Sequence, residues 1–192
     1  MTSQSAERLG LTPSQTIGPF LHIGLMWDDA PDVVPNDTTG AIWLRGHLYD
    51  GAGAPISDAM VETWQADPEG AFDHPDDPRS TARSHPFRAF GRCATGPDGE
   101  WAIHTLKPGS VPASNGATQA PHVDVSVFAR GLLDRVVTRL YFDDEAEANA
   151  SDPVLSTVPE HRRGTLTATR VEDGYRLDIR LQGKDETVFF DL

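Results

Sequence analysis

Cysteine, tyrosine and positive charge are all scarce in this chain. Cys93 is the single cysteine, so no disulfide can form within the 192 residues, and a reducing cytoplasm is the simplest compartment. Lys and Arg number 16 against 29 Asp and Glu, a formal net charge of -13, and the field of such a chain repels nucleic acid and anionic membrane surfaces alike. No apolar run approaches the roughly 20 residues that span a bilayer. The opening "MTSQSAERLGLTPSQT" has no basic stretch followed by an apolar one, so no secretory signal is expected. G-x-S-x-G, H-E-x-x-H, G-x-G-x-x-G and the P-loop are missing, which withdraws support from the hydrolase and nucleotide-binding chemistry those motifs carry.

What is present is a series of short β-type segments. Val and aromatic residues recur with period 2 in 41–50, 59–67, 100–106, 122–130, 135–142, 165–171, 175–182 and 187–190, separated by Gly- and Pro-containing turns. The spacing predicts an all-β chain, a β-sandwich of mixed short strands, as one domain over 1–192. Residues 1–40 carry four prolines and no period, and read as an irregular N-terminal arm. Two long loops are expected, 68–93 and 107–120, the first long enough to be functional. One minor helix is expected at 143–150, where acidic residues suit a helix N-terminus.

Among seven histidines, His22, His47, His104 and His161 have no metal-ligand partner at useful spacing and read as surface or hydrogen-bonded residues. His74 and His85, with Asp73, Asp76 and Asp77 nearby, have the composition of a metal loop, though the plainer reading is a solvated acidic loop. Tyr49, Tyr141 and Tyr175 lie at strand ends or starts, where packing with a wet hydroxyl is their default role. The segment "APHVDVSVFAR" (120–130) is the sharpest signal. Its period places Val123, Val125 and Val127 on one face and His122, Asp124, Ser126, Phe128 and Arg130 on the other. His122 and Asp124 form half of a metal site by residue type, and a metal needs further ligands from elsewhere. An outward Arg such as Arg130 ordinarily reads as a solvated edge residue.

"TPSQTIGPF" (12–20), "LYDGAGAP" (48–55), "ETWQADPEGAF" (62–72), "FGR" (90–92), "GEWAIHTLKPG" (99–109), "APHVDVSVFARG" (120–131), "TRLYFDDEAEANA" (138–150) and the C-terminal "YRLDIRLQGKDETVFFDL" occur in that order, and together the chain resembles the intradiol ring-cleavage dioxygenases over nearly its whole length. The resemblance implies a β-sandwich and a ferric ion held by two tyrosines and two histidines. Carried onto this sequence, those ligand positions are Phe72, Val111, His122 and Asp124. Phenylalanine and valine offer no lone pair, so His122 alone keeps the expected ligand identity.

The resemblance therefore implies a chain that holds no metal and acts in a hetero-oligomer, with Fe(III) in a homologous beta-type partner. The implied reaction is O2-dependent opening of protocatechuate to 3-carboxy-cis,cis-muconate. In that reading Thr16, Gly18, Pro19 and Arg130 wall the partner's substrate pocket, Gly18 allowing close backbone approach and Pro19 fixing φ. Two alternatives stand beside it: a self-sufficient iron enzyme using His122, Asp124 and a loop histidine, and a non-enzymatic β-sandwich binding module, since "DGAGAPISDAMVETW" also resembles prealbumin-like accessory domains.

Overall fold

The period-2 segments become two strand layers in the computed structural model, which describes residues 11–18, 20–79, 86–113 and 116–191. In the first layer β1 (Ile42–Tyr49) pairs antiparallel with β4 (Glu100–Thr105) and parallel with β10 (Gly174–Arg176) and β11 (Ile179–Arg180). In the second, β2 (Met60–Gln65) lies between β3 (Phe90–Ala94) and β7 (His122–Phe128), and β7 pairs with β8 (Val136–Phe142). β9 (Thr167–Val171) joins the layers, parallel to β8 and antiparallel to β10. The fold is all-β, and its helices are short: α1 (Leu21–Gly24), α2 (Ala146–Ser151) and α3 (Glu160–Arg163).

The core fills the space between the layers with the inward positions of each strand. Leu44 and Leu48 of β1, Val61 of β2, Trp101 and Ile103 of β4, the three valines of β7, and Leu140 and Phe142 of β8 are all essentially inaccessible to solvent. Burial at this scale, roughly 1.5–3 kcal/mol per large apolar side chain, drives the layers together. Packing at the β1 position of Gly46 is so close that a Cβ there would lie 1.8 Å from the Leu177 carbonyl oxygen.

Several elements differ from the sequence reading. The loop expected over 68–93 gives way at Phe90 to β3. That strand places Gly91 and Cys93 inward, opposite Ile103 and the rest of the core, so its buried face carries no large apolar residue and leaves no period-2 trace. Within 107–120 a two-stranded ribbon forms, β5 (Val111–Pro112) with β6 (Thr118–Gln119). The segment 175–182 divides into β10 and β11, and 187–190 makes only a bridge between Phe190 and Val137. The expected helix starts three residues later than its acidic residues suggest, because Asp144 is engaged elsewhere, by Lys107, Tyr175 and Arg170.

The irregular arm ends earlier than residue 40. Ala30, Val33 and Val34 are buried, Val33 N–H donates to the His104 carbonyl at 2.8 Å, and Arg92 N–H donates to the Ala30 carbonyl at 2.9 Å. This stretch is therefore stitched between β4 and β3 as part of the core.

Candidate functional site

β7 positions the site. Val123, Val125 and Val127 point inward with no exposure, so the opposite face presents His122 and Asp124 as the alternation requires. Register places Asp124 between Trp64 of β2 and Arg139 of β8, and His122 opposite Tyr141. Arg139 Nε donates to Asp124 Oδ1 at 2.9 Å, and another of its guanidinium nitrogens donates to Gln119 Oε1 at 2.8 Å and approaches the Tyr141 hydroxyl at 3.5 Å. Tyr141 in turn donates to Asp152 Oδ1 at 3.0 Å. Asp152 is fully buried and also accepts the backbone N–H groups of Ala120, Val154 and Leu155, so its carboxylate is saturated.

His122 Nδ1 lies 2.7 Å from the Ala120 carbonyl, a contact that requires the proton on Nδ1 and leaves the lone pair on Nε2. Burial, and then the neighbouring Arg139 guanidinium, push the His122 pKa down and keep the ring neutral. Burial pushes the Tyr141 phenol well above its ordinary range, against the opposing pull of Arg139, so its hydroxyl stays protonated. Burial works against the Arg139 cation, and Asp124 and the Tyr141 hydroxyl together more than offset it, so the guanidinium is held charged.

Phe72 and Val111 lie nearby, lining one cleft of ≈ 470 Å³ together with Trp64. The Phe72 and Trp64 rings stack 6.2 Å apart and 3° from parallel, an arrangement typically worth about 0.5–1.5 kcal/mol beyond burial. Neither Phe72 nor Val111 can donate to a metal, and Asp124 already carries the Arg139 guanidinium, which leaves one imidazole and one ion-paired carboxylate where four donors are needed. This donor set does not fit a ferric ion, which weighs against the self-sufficient iron enzyme. Among the described residues no three His, Cys, Asp or Glu side chains come together to hold a metal.

The acidic loop does not assemble a ligand set among its described residues either. Arg79 clamps Asp77 through two nitrogens, at 3.0 and 2.8 Å, and that pair with the Phe72 N–H holds the Asp77 carboxyl well below its usual range. His74 Nδ1 accepts the Asp76 N–H at 3.2 Å, and His85 lies outside the described residues. Of the other histidines, His47 lies 3.7 Å from both Asp98 and Asp178, and His104 is buried beside Trp43 with Asp32 at 3.5 Å. His161 is exposed, and the side chain of His22 is outside the described residues.

The expected pocket-wall residues are partly brought together. β7 ends at Phe128, so Arg130 does not continue the strand face. It stands in the following turn, 67% exposed, with its guanidinium on the Asp58 carboxylate. Thr16 docks beside it: Gly131 N–H donates to Thr16 Oγ1 at 2.8 Å, and Ser14 Oγ donates to Asp134 at 3.1 Å. Among the described residues no heavy atom lies within 4 Å of where a Cβ of Gly18 would stand, so they make no close approach to its backbone. Pro19 lies outside the described residues. Farther along, Phe20, Ile23, Leu25 and Trp27 are 76%, 65%, 41% and 40% exposed. Arg92 fixes the end of this segment, its guanidinium 5.0 Å from the Trp27 ring centre and donating to the Leu25 carbonyl.

Sequence reasoning missed Arg139, Gln119 and Asp152. Alternation in 135–142 puts Arg139 and Tyr141 on one face, yet only the register between β7 and β8 reveals that this face meets Asp124 and His122.

The model of a family described as "Dioxygenase" matches residues 28–183. The protocatechuate 3,4-dioxygenase alpha chain of Pseudomonas putida is 46% identical, over 96% of this chain and 98% of its own length. The protocatechuate 3,4-dioxygenase beta chain of Burkholderia cepacia is 32% identical over 76% of this chain and 66% of its own. Among solved structures, the mercury-inhibited catechol 1,2-dioxygenase of Acinetobacter sp. ADP1 superposes with a TM-score of 0.62 at 18% identity, over 78% of this chain and 55% of that one, a likeness of fold.

Proposed function

This chain belongs to the intradiol ring-cleavage dioxygenase family, and from that membership we propose that it serves as the alpha-type, iron-free subunit of a protocatechuate 3,4-dioxygenase. The observation that carries the reading is the donor set: a phenylalanine, a valine and a guanidinium-bound aspartate stand at three of the four ligand positions. Membership implies iron in the enzyme. With no fitting site here, the ferric ion belongs to a homologous beta-type partner, where it supplies the oxygen chemistry. The net reaction incorporates both atoms of O2 into protocatechuate and opens the ring between its hydroxyl-bearing carbons, giving 3-carboxy-cis,cis-muconate.

The contribution of this chain is to bind and orient. Thr16, Gly18, Pro19 and Arg130 wall the partner's pocket in this reading. It is supported by the hydrogen bond that docks Thr16 against the turn carrying Arg130, and by the exposure of that guanidinium. The exposed side chains of Phe20, Ile23, Leu25 and Trp27 form the matching association surface. Removing this apolar surface from water favours association. We assign the assembly to the cytoplasm, in keeping with a single cysteine that can form no disulfide within the chain. Among the described residues, no helix is long and apolar enough to cross a membrane.

The test is reconstitution. The chain produced alone should show no protocatechuate-dependent oxygen uptake, and co-production with a tyrosine- and histidine-complete partner should yield a stable complex that does. Turnover by this chain alone would overturn the assignment.

A further inference from the structure

We propose that a cleft beside β1 binds a small organic ammonium ion, with the His104 imidazole and the Glu172 carboxylate as the groups that recognise it. The site shares no residue with the four ligand positions, the Asp124–Arg139 cluster or the residues proposed to wall the partner's pocket, so it stands whether or not that role is correct.

His104 is only 6% exposed, yet neither of its ring nitrogens makes a hydrogen bond among the described residues. Buried polar side chains are nearly always satisfied, so an imidazole left in this state marks a place for a ligand or a water. The ring lies against Trp43, with centres 4.9 Å apart, and lines a cleft of ≈ 520 Å³. That volume is ordinary for a small-molecule site. His104 Nδ1 faces Asp32 Oδ1 at 3.5 Å. The carboxylate favours the proton on Nδ1, which leaves Nε2 as an acceptor. A ligand here must therefore bring an N–H or O–H donor.

The charges around the cleft choose among donors. Its two cations are already engaged by carboxylates: Lys107 donates to Asp144 at 2.9 Å and to Glu145 at 2.6 Å, and Arg170 donates to Asp144 at 3.0 Å. Asp144 also accepts the Tyr175 hydroxyl at 2.8 Å, and Asp173 is held by Arg45. Glu172 has no such counterpart. It is exposed in the turn between β9 and β10, lines the cleft, and makes no ion pair among the described residues. An unbalanced carboxylate in a chain of net charge -13 draws a cation and repels an anion. Ile42, Trp43 and Val171 supply apolar surface for a short alkyl chain. The turn that carries Glu172 is fixed against β1: Trp43 N–H donates to the Asp173 carbonyl at 2.9 Å, and a Cβ on Gly174 would lie 1.9 Å from the Trp43 carbonyl oxygen. An ammonium group in the cleft thus meets an imidazole acceptor, a carboxylate on a rigid turn and an apolar wall.

Butylammonium is the probe, titrated by calorimetry into the full chain at slightly alkaline pH and constant ionic strength, with 1-butanol and butyrate as controls. Nitrogen-15 shifts of the histidine rings report which imidazole responds. Butylammonium should bind saturably and shift the His104 ring. The neutral alcohol should bind at least about tenfold more weakly, for want of charge-assisted bonds, and butyrate should not bind. Glu172→Gln, a change at an exposed position that leaves the fold intact, should weaken butylammonium binding about tenfold or more. Four results would overturn the proposal. Absence of saturation at tens of millimolar would leave His104 to water. An unchanged affinity in Glu172→Gln would make the binding a diffuse response to the net charge. A silent His104 ring would place the ligand elsewhere, and butyrate binding as tightly as butylammonium would reverse the assigned charge preference.

Discussion

His122 is held as a neutral imidazole, and that has a consequence for stability. Burial and Arg139 lower its folded-state pKa, while the unfolded chain returns it to about 6.5. Below that value the unfolded state binds more protons, so stability is fully present above about pH 6.5 and falls as the pH drops through it. His122→Asn, which keeps a donor for the Ala120 carbonyl, should flatten the stability profile between about pH 7 and 5 relative to wild type. Chemical denaturation across that window measures it, and an unchanged slope would place the proton uptake on another group. Arg130 makes a second residue-scale prediction. In the assembled enzyme Arg130→Ala should lower kcat/KM for protocatechuate about tenfold to a hundredfold, the loss of one charge-assisted contact to the substrate carboxylate. Catechol cleavage, lacking that carboxylate, should change far less. Asp58→Asn, which removes the carboxylate that holds the guanidinium in place, should act in the same direction with a smaller effect. Equal losses on both substrates would assign Arg130 a structural role.

At the scale of elements, β7 was legible because its two faces differ in chemistry, valine against polar residues, and period 2 survives in the sequence. β3 was illegible because its inward positions are Gly91 and Cys93, too small to register as apolar alternation. The polar cluster was half legible. His122 and Asp124 share a strand, but Gln119 and Arg139 reach them only through pairing register, which no local pattern encodes. Arg130 was misplaced because the strand ends two residues before it. The arm shows a similar division. Ala30 to Val34 belongs to the core, whereas residues 11–27 touch the rest of the chain mainly through side-chain bonds and leave large apolar groups in solvent. Deleting residues 1–20 should therefore leave the thermal midpoint of the isolated chain within a few degrees of wild type while abolishing association with the partner. Size-exclusion chromatography of the co-produced pair is the readout, and a truncated complex of unchanged assembly and kcat/KM would remove the arm from the interface.

At the scale of the molecule, the -13 net charge repels an anionic aromatic substrate at long range, so in the proposed role the local guanidinium of Arg130 has to supply the favourable contact. The fold itself is that of its family, and in the proposed role what differs is the chemistry at three of the four ligand positions, Phe72, Val111 and Asp124. Two of the three tyrosines are committed elsewhere, Tyr141 to Asp152 and Tyr175 to Asp144, while Tyr49 lies under the Arg180 guanidinium at 4.7 Å. A tyrosinate–iron chromophore on this chain would have to displace one of these arrangements. The most direct measurement is metal analysis with visible absorption on the purified chain alone, after exposure to ferric iron and desalting. Iron far below one equivalent, with no charge-transfer band in the visible, is the expected result. A near-stoichiometric ferric ion with a tyrosinate charge-transfer band would contradict an iron-free role for this subunit.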